Sequence, residues 1–463
     1  ALARLWRRLI SSAAPSIGQQ AADNLAHLRL EALDRAGLLD EAREALVKGA
    51  GLGATAEVWR ARLDIGLGAR EKGCQALAAA TDTQLSKPMR AEKQLLAGYC
   101  AAVAGDTAAA ALAASLAREE GSTAEPALAI LGSLDGGVDK RPPLPVRLSL
   151  MDYRFLELTG PIDGTRALPK AEPALLVALA SSTALDVKIQ VAAADAALRL
   201  NVMTPEAVAS VYRRLPGAAK DTDAAADPVL ERARLFRAME ETQAPTSRAR
   251  LIRSFLDEAR RAGVLLQAAA MLSPALSNLW PGPETRPLAE GLVQVALAGG
   301  ELALARRWAE SSAHLQHWLA LVDIADPQSR QVEGPGLAAL DDLARRGRLA
   351  PAVLQRTVSV LDALGLKVPL ALWEAAGRVA QPSGGHLPPT GVLAELAQAS
   401  EQKQAGRTIV LVLQALGPDG PDGANILALG DAIRALKRAG LEADARRLAV
   451  EALFAAWPRT SGG

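Results

Sequence analysis

A phrase of seven residues recurs along this chain: a small residue, Gly, any four residues and Ala. Each copy lies between two segments with the apolar periodicity of a helix. Gly ends a helix readily, because it adopts the left-handed backbone conformation that a Cβ atom disfavours. Ala five residues later lets a second helix lie close to the first, so each copy predicts an antiparallel helix hairpin. The five copies are Gly37/Ala42, Gly105/Ala110, Gly263/Ala268, Gly300/Ala305 and Gly440/Ala445.

The composition favours helices along the whole chain. Half of the residues are hydrophobic but only 3% are aromatic, so most of the apolar side chains are Ala, Leu and Val. Ala and Leu are strong helix formers, and the aromatic residues that favour strands are scarce. We therefore predict an all-α fold, built as an α-solenoid or superhelix of stacked antiparallel helix hairpins.

In the first part of the chain the hairpin glycines recur at a nearly regular spacing. Gly37, Gly68 and Gly105 are 31 and 37 residues apart, close to the period of about 34 residues of two-helix repeats. This block resembles the tetratricopeptide repeat family in a degenerate form. Tyr99 lies near an aromatic position of the family pattern, and the other copies lack it. The resemblance implies a helical surface that binds other proteins.

Segments rich in Pro and Gly divide the chain into three predicted domains. The clearest break covers residues 135–147, and a second covers residues 326–336. Pro and Gly at this density end helices and mark connections. The predicted domains are tetratricopeptide-like helical repeats in 1–135, a helical repeat domain in 146–325 and a C-terminal helical repeat domain in 337–463.

Helix starts carry recognisable signals at several places. Thr204 and Asp227 each put a capping oxygen directly before a Pro at the first helical position. Ser86 precedes Lys87 and a Pro, which predicts a capped helix start there as well. These signals help to place the helix boundaries.

The chain has two cysteines, Cys74 and Cys100, on consecutive helices predicted over 69–82 and 88–104. If these helices pair antiparallel, the two thiols can face each other, and a disulfide needs Cα atoms within about 7 Å. A chain with only two cysteines often pairs them when it is exported. The sequence is compatible with a disulfide in a periplasmic protein, and also with two unrelated buried thiols in a cytoplasmic one.

Seven tryptophans are spread through a chain that is otherwise poor in aromatic residues. Trp fills gaps between Ala-rich helices, and it also supplies binding energy in protein interfaces. Packing is the more frequent role for any one of them. Trp280, in the segment Leu-Trp-Pro-Gly-Pro, is the best interface candidate because it lies at the end of a predicted helix.

Few residues are arranged for catalysis or for metal binding. His314 and His317 are three apart on a predicted helix and can face one ion, but the nearest carboxylate, Asp323, is more than a turn away. The Gly-rich segment 49–54 follows a predicted helix, whereas a dinucleotide-binding loop follows a strand. We predict no catalytic, cofactor-binding or metal-binding residue.

The charge balance and the hydropathy argue against nucleic-acid binding and against a membrane-spanning segment. The chain has 52 basic and 51 acidic residues, so no strong field recruits nucleic acid. No apolar run is long enough for a transmembrane segment. We predict a non-enzymatic scaffold that binds other proteins, as a periplasmic component of a bacterial envelope assembly. The alternatives are an α-superhelical domain related to peptidoglycan lytic transglycosylases and a cytoplasmic tetratricopeptide-like regulator.

Overall fold

The structure is a computed structural model that divides into two compact units by contacts between residues. Residues 10–215 form one unit, and residues 1–9 together with 216–463 form the other. The three domains predicted from the Pro- and Gly-rich breaks stay a prediction. The structure describes residues 2–11, 19–48, 53–81, 85–134, 142–216, 227–329, 334–380, 382 and 384–459.

The unit of residues 10–215 is helical throughout its described part, apart from an isolated parallel bridge between Leu148 and Ala171. Successive helices pack on each other, for example Gly53–Gly66 on Arg70–Ala79 and Lys87–Val103 on Thr107–Glu119. The helices are α2 (Gln19–Arg35), α3 (Leu39–Lys48), α4 (Gly53–Gly66), α5 (Arg70–Ala79), α6 (Lys87–Val103), α7 (Thr107–Glu119), α8 (Glu125–Ser133), α9 (Leu150–Glu157), α10 (Gly164–Ala167), α11 (Pro173–Ser181), α12 (Val187–Arg199) and α13 (Pro205–Tyr212).

The second unit is also helical, with an isolated bridge between His386 and Ala424. The predicted all-α class is thus confirmed, and the solenoid-like packing of neighbours along the chain with it. The helices are α1 (Leu2–Ile10), α14 (Pro228–Glu241), α15 (Pro245–Arg261), α16 (Leu265–Met271), α17 (Ala289–Gly299), α18 (Leu302–Glu310), α19 (His317–Ala325), α20 (Pro335–Arg345), α21 (Pro351–Ala363), α22 (Leu370–Gly377), α23 (Val392–Glu401), α24 (Ala405–Leu416), α25 (Gly420–Gly423), α26 (Ile426–Arg438) and α27 (Glu442–Phe454).

The hairpin turns have the geometry that the recurring phrase predicts. At the first copy, Gly37 has φ +73°, the backbone N–H of Gly37 donates to the carbonyl of Asp34, and that of Leu38 donates to the carbonyl of Leu33. This pair of bonds satisfies two carbonyls at the end of α2 and reverses the chain. The other four copies repeat the positive φ and the same long backbone bond.

The alanines of the phrase lie within the packed interior. All five are buried to 1% exposure or less: Ala42, Ala110, Ala268, Ala305 and Ala445. In the hairpin of α4 and α5 the equivalent residue is Gly73. A Cβ atom there would lie 2.9 Å from the carbonyl oxygen of Ala61 and 2.6 Å from Cγ1 of Ile65. At this position the backbones approach too closely for any side chain.

Two described hairpin turns have a residue other than Gly at the position of positive φ. Asn201 has φ +57° and Lys403 has φ +55°, and each ends a helix with the same backbone bonds as the Gly turns. Asn adopts the left-handed conformation more readily than other residues with a Cβ atom. Lys403 is exposed, and the backbone bonds of the turn accompany its less usual conformation. The phrase therefore identifies the Gly turns and cannot identify these two.

Most of the predicted helix starts are confirmed. The side chain of Thr204 accepts from the backbone N–H of Ala207 at 3.2 Å, and Asp227 accepts from that of Val229 at 2.8 Å. The cap predicted at Ser86 is wrong in one respect, because its side chain forms no capping hydrogen bond. There the helix start depends on the Pro in its first turn, which is preset for helical φ.

The first helix belongs to the same compact unit as the last ones. Leu5 of α1 is fully buried. Arg8 donates to Asp444 of α27 at 3.1 Å, and Arg4 lies 3.9 Å from the same carboxylate. Among the described residues, no helix has the length and apolar character needed to cross a membrane.

Candidate functional site

Trp280 lies in a short loop between two turns of 3-10 helix, Ser273–Asn278 and Arg286–Leu288. Its side chain is 63% exposed, whereas the preceding Leu279 is buried. The guanidinium carbon of Arg307 lies 4.7 Å from the centre of the Trp280 ring. Leu279 therefore attaches the loop to the interior while Trp280 presents its ring at the surface beside a cation.

Hydrogen bonds hold this loop in one conformation. Thr285 Oγ1 donates to the carbonyl oxygen of Trp280 at 2.9 Å and accepts from the backbone N–H of Gly282 at 3.0 Å. Glu284 accepts from the hydroxyl of Thr246 on α15 at 2.9 Å. The prolines on both sides of Gly282 restrict φ as well. Because the loop is already ordered, binding through it loses little conformational entropy.

The pairing of an aromatic ring with a guanidinium has a definite chemistry. The ring attracts the cation by about 0.5–1 kcal/mol at an exposed position. Trp and Arg are also the residues enriched among those that dominate binding energy in protein interfaces. An exposed Trp280 beside Arg307 is thus suited to contact an apolar or acidic group on another protein.

The other tryptophans mostly serve packing, as the sequence analysis expected for any one of them. Trp59, Trp308, Trp318 and Trp457 are buried, and Trp6 of α1 is half-buried. Trp373 is the exception, with 47% exposure.

The exposure of Trp373 was not predicted, although the sequence of α22 indicates it. The first seven residues of α22 are apolar except for one Glu, so one helix face cannot bury them all. Leu372 and Ala376 are buried one turn apart, which leaves Leu370 and Trp373 on the exposed side.

The structure joins Cys74 of α5 and Cys100 of α6 through a disulfide, with their Cα atoms 5.8 Å apart. Both residues are half-buried, so the bond lies at the edge of this helix pair. Lys93 adds a second link between the two helices, since its Nζ donates to the carbonyl oxygen of Ala80 at 2.6 Å. The disulfide thus links α5, in the hairpin that turns at Gly68, to α6, in the hairpin that turns at Gly105.

The residues considered for a metal site do not converge. His317 is buried at the start of α19, and its Nε2 lies 2.8 Å from the carbonyl oxygen of Pro458. His314 Nδ1 lies 2.8 Å from the hydroxyl of Ser312, and Asp323 accepts from Arg306. Within the described ranges no three His, Cys, Asp or Glu side chains are grouped as metal ligands.

Burial also affects the protonation of His317. Its imidazole is packed against Trp318, with the ring centres 5.7 Å apart. Burial lowers the pKa of His317, although the bond to Pro458 and the nearby charge of Glu290 act in the opposite direction. The neutral ring is therefore favoured, which suits a structural contact inside the unit.

The Gly-rich segment 49–54 includes the first two residues of α4. Residues 49–52 lie outside the described part, and α4 begins at Gly53. We find no family model, no curated protein and no solved structure that matches this chain.

Proposed function

We propose that this chain is a non-enzymatic scaffold that binds another protein, with Trp280 in the contact surface. The observation that carries the proposal is the exposed Trp280 ring held beside Arg307 on an ordered loop. A stack of helix hairpins supports it, because such stacks commonly present extended surfaces for protein binding. Degenerate tetratricopeptide-like repeats in residues 1–135 are part of the same proposal.

The place we propose for this scaffold is the bacterial periplasm, within an envelope assembly. The pairing of Cys74 with Cys100 supports this location, since disulfides persist in oxidising compartments and are rare in the cytosol. Export also agrees with the absence of any other cysteine in the sequence.

The binding proposal is tested by site-specific crosslinking in the native cell envelope. A photoreactive amino acid replaces Trp280 in one strain and Trp373 in a matched control strain, because both are exposed tryptophans of the same unit. We expect a defined crosslinked protein from position 280, and loss of its co-purification in the Trp280→Ala variant. If the Trp280→Ala variant and the unchanged chain co-purify equal amounts of the partner protein, Trp280 is not part of the contact.

The location is tested by labelling thiols in intact cells. If the chain is periplasmic, Cys74 and Cys100 react with a maleimide only after a reductant is added, and the protein is found in the periplasmic fraction. Free thiols in the cytosolic fraction would support the cytoplasmic regulator instead. Release of soluble fragments from purified murein by the chain would support the relation to lytic transglycosylases and contradict a non-enzymatic role.

A further inference from the structure

A narrow polar cleft lies beside α15 and α17, in the unit of residues 1–9 and 216–463. Its volume is about 50 Å³, and about 10–15 Å³ is enough for one water molecule. The cleft therefore has room for a group of a few non-hydrogen atoms. Six polar side chains line it: Arg253, Asp257, Arg260, Glu290, Gln294 and Arg459.

The two carboxylates and the amide of the cleft each accept a hydrogen bond from the protein. Asp257 accepts from Arg260 Nη1 at 2.9 Å, and Gln294 accepts from Arg260 Nη2 at 3.0 Å. Glu290 accepts from the indole N–H of Trp318 at 3.3 Å. Each of these oxygens therefore has a donor from the protein itself.

The basic groups are only partly matched. Three guanidinium groups line the cleft against two carboxylates, and neither Arg253 nor Arg459 forms an ion pair with any described residue. The Nε of Arg260 is buried and donates no hydrogen bond within the described chain. Buried donors of this kind are rare in folded proteins and call for a partner.

The positive charges also act on one another. Burial lowers the pKa of Arg260, and the positive charge of Arg459 lowers it further. An anion between these groups would offset both effects, because it supplies the opposite charge and hydrogen-bond acceptors.

We propose that this cleft binds an oxyanion, a carboxylate or phosphate group, through the guanidinium groups of Arg253 and Arg459, with Arg260 Nε as a further donor. Arg suits this role because its planar fork matches the oxygens of both groups. Trp280 does not line the cleft, and anion binding there does not depend on whether the chain is a scaffold.

The test is calorimetric titration of the whole chain at low ionic strength with two probes, inorganic phosphate and acetate. Four proteins are compared: the unchanged chain, Arg253→Gln, Arg459→Gln and the control Arg261→Gln. Arg261 follows Arg260 on α15, pairs with Glu258 and is mostly exposed, and it does not line the cleft. Circular dichroism first shows that each variant is folded.

We expect at least one probe to bind the unchanged chain and the Arg261→Gln control equally. Arg253→Gln and Arg459→Gln should each weaken that binding by about tenfold or more, as expected for a lost hydrogen bond to a charged group. Tighter binding of phosphate than of acetate assigns a phosphoryl group, and the reverse assigns a carboxylate. No binding of either probe, or the same loss in Arg261→Gln as in the cleft variants, would overturn the proposal.

Discussion

Both cysteines lie in the unit of residues 10–215, whereas six of the seven tryptophans lie in the unit of residues 1–9 and 216–463. The two units share one kind of hairpin turn. Both units contain ion pairs and aromatic pairs between helices, such as Tyr99 with Phe155 in the unit of residues 10–215. They differ because this unit adds a disulfide, whereas the other adds a cluster of tryptophan rings.

In the unit of residues 10–215, charge and a covalent bond link helices across hairpins. Arg62 of α4 donates to Asp34 of α2 at 3.0 Å and to Glu92 of α6 at 2.5 Å. Burial lowers the pKa of Arg62, but Glu92 and Asp34 together raise it above its usual value. The disulfide adds a further link between α5 and α6.

In the other unit, an aromatic cluster adds to ion pairs such as that of Arg8 with Asp444. The ring of Trp318 on α19 lies 6.4 Å from that of Phe454 on α27 and 6.4 Å from that of Trp457. Such pairs add about 0.5–1.5 kcal/mol each to the burial of the rings. The turn pattern thus sets the pairing within a hairpin, while the contacts between hairpins vary with the side chains available.

The largest effect that we expect comes from the aromatic cluster. Trp318→Ala should lower the free energy of unfolding of its unit by about 3–5 kcal/mol, because it leaves a cavity and removes the donor to Glu290. Hydrogen exchange resolved by peptide measures it. Protection should fall in residues 227–459 and stay unchanged in residues 19–216.

The matched control for that change is Trp373→Ala. Trp373 is exposed, so its removal should change stability by about 0.5 kcal/mol or less. If both variants are equally destabilised, the aromatic cluster does not hold its unit together and the contrast between the units fails.

The second-largest change in stability that we expect comes from removing the disulfide. Its cysteines are 26 residues apart, and in the chain-entropy model a closed loop of that length contributes about 3–4 kcal/mol. The Cys74→Ala/Cys100→Ala variant should therefore lose protection in residues 19–216, with little change in residues 227–459. A reductant should reproduce this loss in the unchanged chain and have no effect on the variant.

Most of the fold could be predicted because its determinants are local. The helices predicted over 69–82 and 88–104 correspond to α5 (Arg70–Ala79) and α6 (Lys87–Val103), within a few residues at each end. The largest difference is at α5, predicted to end at residue 82 and ending at Ala79. The turn at Lys403 could not be predicted, because a Lys with positive φ is uncommon and its residue type does not mark the turn.

The sites were predictable to different degrees. Trp280 was predicted as an interface residue at a helix end, and the structure places it exposed in a loop after the 3-10 segment Ser273–Asn278. Its role in binding stays a prediction. The cleft was not predictable, because Arg253 and Arg459 are far apart in sequence and only the packing of distant helices brings them together.

A smaller effect tests whether close helix approach is needed in the unit of residues 10–215. Gly73→Ala would place a Cβ atom 2.9 Å from the carbonyl oxygen of Ala61. Overpacking costs about 1–3 kcal/mol, which the better helix propensity of Ala offsets by about 1 kcal/mol. We expect a net loss of stability of about 1 kcal/mol in chemical denaturation.

The control for Gly73→Ala is Gly132→Ala on α8, where a Cβ atom would meet nothing within 4 Å. That variant should gain about 0.5–1 kcal/mol, because Ala forms helices better than Gly. Effects of opposite sign at Gly73 and Gly132 would show that steric approach decides the outcome. A gain at both would mean that α4 and α5 can separate at little cost.

The smallest effect is a pH dependence confined to the aromatic unit. Burial lowers the pKa of His317 in the folded chain, whereas an unfolded His titrates near pH 6.5. Between these two values the unfolded state binds more protons, so the free energy of unfolding falls as the pH drops below about 6.5. The contribution is full above that pH and is lost towards the folded pKa, with a slope of at most about 1.4 kcal/mol per pH unit.

Denaturant titrations at several pH values measure this pH dependence of the free energy of unfolding. His317→Gln should remove this slope, while His314→Gln, at an exposed position, should keep it; an unchanged slope in His317→Gln would assign the acid sensitivity to other groups.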